Sequence, residues 1–105
     1  MLRVTLLGLA ICFSAASAFA QEGVLAELYG RGVHNYYAGQ YDEAHRYLSM
    51  AIDNGSRDAR AYFFRGLVNQ ATGREQEAKA DYQMAAQLEV QTGASSAVSR
   101  SLTRI

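Results

Sequence analysis

The sequence predicts an all-α protein built from two repeated pairs of helices. Three observations support this fold class: the composition, a repeat of 34 residues, and the helical spacing of apolar residues within each repeat. Half of the 105 residues are apolar, and the chain has no proline and no tryptophan. This balance fits a helical globular domain rather than a disordered segment.

The charge pattern gives no preference for nucleic acid or for an anionic membrane surface. Ten basic residues balance ten acidic residues, and no block of like charges occurs. Binding to nucleic acid or to an anionic membrane usually relies on a basic patch or stripe. The charge balance therefore favours neither of these over any other partner.

Residues 1–20 have the layout of a secretory signal peptide. A short positive start is followed by an apolar run and by small residues that end at Ala18-Phe19-Ala20. The apolar run is too short to span ~30 Å of hydrocarbon at ~1.5 Å per residue. We predict cleavage after Ala20 and an exported protein, periplasmic or extracellular. Retention of the segment as an anchor is the alternative.

The single cysteine lies inside this apolar run. Cys12 follows Ile11, where bacterial lipoprotein signals have glycine or alanine, so an apolar role within the signal is favoured. Cleavage after Ala20 would leave a chain without cysteine. We therefore predict no disulfide and no thiol chemistry in the mature protein.

Residues 21–92 contain two units related by a shift of 34, namely 25–58 and 59–92. Half of the matches are glycine or alanine, and small residues allow helices to approach closely, so the repeat predicts the same packing twice. Eight positions are identical: Arg31 and Arg65, Gly32 and Gly66, Asn35 and Asn69, Gly39 and Gly73, Glu43 and Glu77, Ala44 and Ala78, Met50 and Met84, Ala51 and Ala85.

Each unit predicts two short antiparallel helices. In the first unit Leu28, Gly32 and Tyr36 recur at helical spacing, and Gly39 then breaks the pattern. The second unit follows the same plan, with the break at Gly73. The second helices present one packing face each, formed by Tyr41, Ala44, Tyr47, Leu48, Ala51 and Ile52 in the first unit, and by Ala78, Tyr82, Ala85 and Leu88 in the second.

These residues resemble the tetratricopeptide repeat family, over residues 25–92. The family has the same period, a glycine turn, and small residues at the places held here by Gly32, Ala44, Ala51, Gly66, Ala78 and Ala85. The resemblance implies an α-solenoid of two helix-turn-helix repeats.

The chain departs from the family pattern at paired positions. Arg31 and Arg65 replace a leucine, and Asn35 and Asn69 replace an aromatic residue. Ser56 and Val90 stand where a proline usually closes the repeat. The repeated arginine and asparagine indicate either a hydrogen-bonded layer between helices or inheritance through duplication.

Residues 93–105 predict a separate C-terminal capping helix. Gly93 suits the end of the preceding helix, and Ser95 or Ser96 suits the start of a new one. Val98, Leu102 and Ile105 would form its apolar face. This helix either packs back on the second repeat or leads into a longer protein.

The sequence does not favour an enzyme, a cofactor or a metal site. His34 and His45 lie on different predicted helices, and neither has a partner at ligand spacing. No zinc-protease motif, nucleophile elbow or glycine-rich phosphate loop occurs. Catalytic residues are therefore not assigned.

The family resemblance implies a concave groove lined by the first helix of each repeat. Its residues would be Tyr29, Val33, Tyr36 and Tyr37 with Ala26 from the first repeat, and Arg60, Phe63, Phe64, Leu67 and Gln70 from the second. The implied function is a non-catalytic interaction module or scaffold that binds a segment of a protein or peptide partner. Tyr29, Tyr36, Phe63 and Phe64 would anchor the segment, and Arg60 would orient a carboxylate or a carbonyl. Apolar residues on a helix face are, however, more often core than ligand contacts.

The alternative function is structural. The chain would be an accessory subunit that self-associates, or one that fills its own groove with its C-terminal helix. Two repeats alone leave apolar surface uncovered, since repeat proteins generally need about three units or a cap.

Overall fold

The computed structural model describes the backbone of residues 21–103 and the side chains of residues 21–92. The described residues form four helices and no strand, which confirms the predicted all-α class. The helices are α1 (21–37), α2 (Tyr41–Asp53), α3 (Ala59–Ala71) and α4 (Glu75–Thr103). The predicted signal peptide, residues 1–20, lies outside the described residues and stays a prediction.

Two tight turns join the helices into hairpins, α1 with α2 and α3 with α4. Gly39 and Gly73 sit in these turns with φ of +77° and +78°, a left-handed conformation that glycine adopts without steric cost. The turns also share their hydrogen bonds. The Gly39 N–H donates to the Tyr36 carbonyl at 3.1 Å, and the Gly73 N–H donates to the Gln70 carbonyl at 3.3 Å.

Each hairpin is closed by a glycine that lets the two helices approach. A Cβ on Gly32 would lie 2.6 Å from Leu48 Cγ, and a Cβ on Gly66 would lie 2.6 Å from Tyr82 Cε1. Leu48 and Tyr82 are themselves 34 residues apart. The repeat in the sequence is therefore a repeat of contacts in three dimensions.

Helix α3 links the two hairpins. Val68 of α3 is fully buried with Ala44 and Leu48 of α2, and Phe64 packs against this core. Ala61 is also fully buried. Asp58 is the N-cap residue before the helix, and its carboxylate accepts a hydrogen bond from the Arg60 N–H at 2.9 Å.

The prediction of a separate C-terminal helix is wrong. Helix α4 runs without a break from Glu75 to Thr103, so Gly93 does not end it and no new helix starts at Ser95 or Ser96. Glycine inside a helix costs only about 1 kcal/mol relative to alanine, and no proline follows to stop the helix. The side chains of Val98, Leu102 and Ile105 lie outside the described residues.

The continuous path of α4 also bears on the alternative in which the C-terminal helix of the chain fills its own groove. Residues 93–103 extend the helix axis, and a return onto α3 would need a chain reversal that residues 75–103 do not make. Within the described part of the chain, no helix is long and apolar enough to cross a membrane.

Candidate protein-binding surface

Helices α1 and α3 bring five of the predicted groove residues into one aromatic surface, formed by Tyr29, Tyr36, Tyr37, Phe63 and Phe64. Phe64 is its centre, with ring centroids 5.8 to 6.1 Å from those of its four neighbours. All four pairs are edge-to-face, which is a favourable arrangement for aromatic rings. Tyr36 and Tyr37 also contact each other at 5.2 Å.

The aromatic surface divides into packed and exposed members. Tyr29, Tyr36 and Phe64 pack against the buried core of Ala44, Leu48 and Val68. In contrast, the side chain of Tyr37 is 74% exposed and that of Phe63 is 46% exposed. Three of the four predicted anchors thus hold the scaffold together, and the rings open to a partner are Tyr37 and Phe63.

Arg60 is exposed but already engaged. Its guanidinium lies 2.7 Å from the Asp58 carboxylate and 4.9 Å from the ring centroid of Tyr29. The hydrogen bond from Arg60 lowers the pKa of Asp58 below its ordinary value, against the opposing effect of partial burial. A ligand carboxylate at Arg60 would therefore compete with Asp58.

The remaining predicted groove residues differ in exposure. Val33 and Leu67 are half-buried, whereas Ala26 and Gln70 are exposed. The Gln70 side-chain oxygen accepts a hydrogen bond from the Tyr82 hydroxyl at 2.8 Å. Gln70 thus ties α3 to α4 next to the aromatic surface.

The repeated arginine and asparagine form a polar layer in the second hairpin. Arg65 donates to both carboxylate oxygens of Asp81, at 2.8 and 2.7 Å, and Asn69 donates to the same carboxylate at 2.9 Å. This pairing raises the pKa of Arg65 above its ordinary value despite burial. Asn69 is 1% exposed, and its side-chain oxygen has no hydrogen-bond partner among the described residues.

The first hairpin holds its arginine differently. Arg31 pairs with Glu27 at 2.9 Å on the exposed surface, and its guanidinium lies 5.7 Å from the ring centroid of Tyr47. Tyr47 occupies the position that corresponds to Asp81. Sequence reasoning missed Asp81 because the predicted layer was inferred from matching residues, and this position does not match.

His45 lies beside the polar layer. Its Nδ1 atom is 3.5 Å from the Ser49 hydroxyl, which also lies 3.4 Å from Nη1 of Arg65. Burial is the main cause that lowers the pKa of His45, and the charges of Arg74 and Arg65 add to it. His34, on α1, is exposed. Within the described ranges, no three His, Cys, Asp or Glu side chains converge as metal ligands would.

A second concave surface, which we name the α3–α4 groove, lies between Phe63 of α3 and Tyr82, Ala85 and Ala86 of α4. Its volume is about 910 Å³, and Arg57 and Glu89 lie on its rim. The rings of Phe63 and Tyr82 are 5.8 Å apart on its wall. The sequence placed Tyr82 and Ala85 on a packing face without indicating that this face is open.

No protein-family model, curated protein or solved structure matches the chain. A proposal about function therefore rests on the residues and their contacts.

Proposed function

We propose that this chain is an exported, non-catalytic protein-interaction module made of two tetratricopeptide-like repeats. The shared contacts of the hairpins support the proposal. The same glycine approach, the same turn hydrogen bonds and the same buried alanines recur at the same period. Such arrays use the helices of one side to present a binding surface.

The observation that carries the function is the exposure of Tyr37 and Phe63, both next to Phe64. Each ring lies about 6 Å from that of Phe64, at 6.1 and 5.8 Å. Exposed aromatic residues held by a rigid, packed base are typical of the residues that dominate binding energy in protein interfaces.

In the proposed mechanism, a partner segment lies across α1 and α3. Apolar side chains of the partner contact Tyr37 and Phe63, while Tyr29, Tyr36 and Phe64 keep these two rings at a fixed separation. A rigid base lowers the ordering cost of binding. No cofactor, metal or bond-making step is part of this function.

A catalytic role is less well supported by the geometry. A buried cluster of converging polar groups on the described helices is the layer of Arg65, Asn69 and Asp81. Asp81 is 5% exposed and already accepts three hydrogen bonds. It has no free face toward a substrate, and geometry is the first requirement for a general base.

The proposal is tested by comparing partner recovery from the extracytoplasmic fraction by the parent chain and by the double variant Tyr37→Ala, Phe63→Ala. The matched control is Met50→Ala, Met84→Ala, which removes two exposed apolar side chains, 39% and 40% exposed, at equivalent places on α2 and α4. We expect quantitative mass spectrometry to show proteins retained by the parent and the control but lost by the aromatic variant. Equal recovery by all three folded chains would refute the aromatic surface as the binding site.

The structural alternative is tested on the same preparations. Light scattering measures whether the parent chain self-associates. If the parent is a dimer and the variant Tyr37→Ala, Phe63→Ala is a monomer, the aromatic surface binds a second copy of this chain rather than another protein.

A further inference from the structure

The α3–α4 groove has a counterpart in the first hairpin that is filled. Shifting back by 34 converts Phe63, Tyr82, Ala85 and Ala86 into Tyr29, Leu48, Ala51 and Ile52. Leu48 and Ala51 are fully buried there. In the second hairpin, Ala85 is also buried, but Tyr82 is half-buried and Phe63 and Ala86 are exposed, whereas their counterparts Leu48, Tyr29 and Ile52 are each less exposed. The same face is thus more open in the second hairpin than in the first.

The element that covers the face of the first hairpin is α3, so the structure shows what this kind of face accepts. Helix α3 contributes Ala61, Phe64 and Val68, spaced as one stripe of a helix. Ala61 and Val68 are fully buried, and the ring of Phe64 meets that of Tyr29 edge-to-face. The occupant is an amphipathic helix with a small residue, an aromatic residue three places on, and a branched aliphatic residue seven places on.

We infer that the α3–α4 groove is a docking site for an amphipathic helix of a partner protein with this stripe. The site overlaps the proposed aromatic surface at Phe63, but its other wall is formed by Tyr82, Ala85 and Ala86 of α4, which are not part of that surface. Helix-in-groove binding of this type buries an apolar stripe of the ligand between two helices of the receptor.

A second copy of this chain does not supply such a helix through α1. The α1 residues that correspond to Ala61, Phe64 and Val68 are Glu27, Gly30 and His34. Glu27 and His34 are exposed and polar. Head-to-tail stacking of copies would bury these polar groups in an apolar groove, at a cost in desolvation.

The rim of the groove adds a charge requirement. Arg57 and Glu89 stand where the first hairpin has Gly23 and Gly55. Arg57 is 3.3 Å from the side-chain oxygen of Gln91, and its guanidinium has no carboxylate within 4.0 Å among residues 21–92. A partner helix with an acidic residue near Arg57 and a basic residue near Glu89 would therefore be selected over α3 itself.

The test uses α3 as the probe. A fluorescein-labelled peptide of residues 58–71 is held helical by a hydrocarbon link between positions 63 and 70, which are exposed in α3. Fluorescence anisotropy measures its binding to the full chain. We expect saturable binding, and we expect the double replacement Phe64→Ala, Val68→Ala in the peptide to weaken it by about tenfold or more.

A matched pair of variants locates the site on the protein. Ala86→Glu places a carboxylate in the groove, and Ala80→Glu makes the same change at an exposed position of α4 outside it. We expect Ala86→Glu to weaken peptide binding by about tenfold and Ala80→Glu to leave it unchanged. Circular dichroism shows whether both variants keep the helicity and the thermal midpoint of the parent.

Three results would overturn the inference. They are no binding by the parent, equal binding by the parent and Ala86→Glu, and a parent dimer that Ala86→Glu converts to monomer. The second would mean that the peptide displaces α3 from the first hairpin, and the third that a second copy is the occupant. The variant Tyr37→Ala separates this site from the proposed function, since it should retain peptide binding while it loses the partner of the aromatic surface.

Discussion

The two hairpins share a backbone frame but differ in the side chains it holds. At corresponding positions, the first hairpin has Tyr47 and Leu48, whereas the second has Asp81 and Tyr82. Leu48 is fully buried in an apolar core that α3 covers. Asp81 instead binds Arg65 and Asn69 inside the second hairpin, and Tyr82 lies on the wall of an open groove.

This difference shows which residues define the repeated backbone and which decide whether a face of a hairpin is packed or open. The glycines and alanines set how closely the helices approach, so they recur in both hairpins. The larger residues depend on what lies against each face. Among the described residues, the face formed by Tyr29, Leu48 and Ala51 in the first hairpin is covered by α3, whereas the corresponding face of the second hairpin borders the α3–α4 groove. One frame therefore carries a closed apolar core and an open groove.

The largest expected effect comes from breaking the polar layer that only the second hairpin has. Asp81→Ala leaves the half-buried Arg65 and the buried Asn69 without their acceptor, and we expect a loss of about 3 kcal/mol in the free energy of unfolding. Glu27→Ala removes the exposed partner of Arg31 and should leave the free energy of unfolding almost unchanged, because solvent screens this pair. Urea unfolding of both variants measures the difference, and equal losses would show that the hairpins do not differ in this way.

The next largest effect is expected at the two glycines, Gly32 and Gly66, where the helices of each hairpin approach closely. In Gly32→Ala the new Cβ meets Leu48, which is enclosed, so we expect a loss of about 2 kcal/mol. In Gly66→Ala the new Cβ meets the ring of Tyr82, which has the open groove beside it. Movement of that ring should limit the loss to about 1 kcal/mol.

Gly30→Ala is the control for these two variants, because its Cβ would meet no atom within 4 Å. The better helix propensity of alanine should then stabilise the chain, by up to about 1 kcal/mol. Thermal unfolding of the three variants gives the order, and a greater loss for Gly66→Ala than for Gly32→Ala would mean that Tyr82 is not free to move.

The smallest effect is a dependence on pH at the junction of the hairpins. The pKa of His45 is lowered from 6.5 by burial and by nearby arginines, so the unfolded chain takes up this proton more readily than the folded chain. Stability is therefore full above the ordinary pKa and decreases as the pH falls through 6.5 toward the lowered value.

The comparison of the parent with His45→Gln checks this sign. Thermal midpoints measured between about pH 8 and pH 5 should fall less steeply in the variant, and His34→Gln, at an exposed site, should follow the parent. An unchanged slope in His45→Gln would remove His45 as the cause.

The sequence predicted the elements of residues 21–92 more fully than the C-terminal segment. Gly39 and Gly73 lie at turns, and the predicted alanines Ala44 and Ala78 are buried, because local spacing is enough to indicate these features. Gly93 has the same residue type as Gly39 but lies inside α4. The residue type alone does not separate these two outcomes, because glycine can end a helix in the left-handed conformation or lie inside one at a cost of about 1 kcal/mol.

The sequence predicted which residues form the candidate surface, but not which of them are packed against the core and which are exposed. The sequence named Tyr29, Tyr36 and Phe64 together with Tyr37 and Phe63, because all lie on the first helices of the repeats. It gave no means to tell that the first three pack on Leu48 and Val68 while the last two stay exposed, nor that Asp81 would hold Arg65 and Asn69.

The sequence by itself determined the helical class, the period of 34 residues and the places of close approach, because these follow from local spacing and from the size of single residues. Only the tertiary structure decided which repeated face is covered and which is open. That outcome depends on α3 filling the face of the first hairpin, and on α4 continuing past the face of the second.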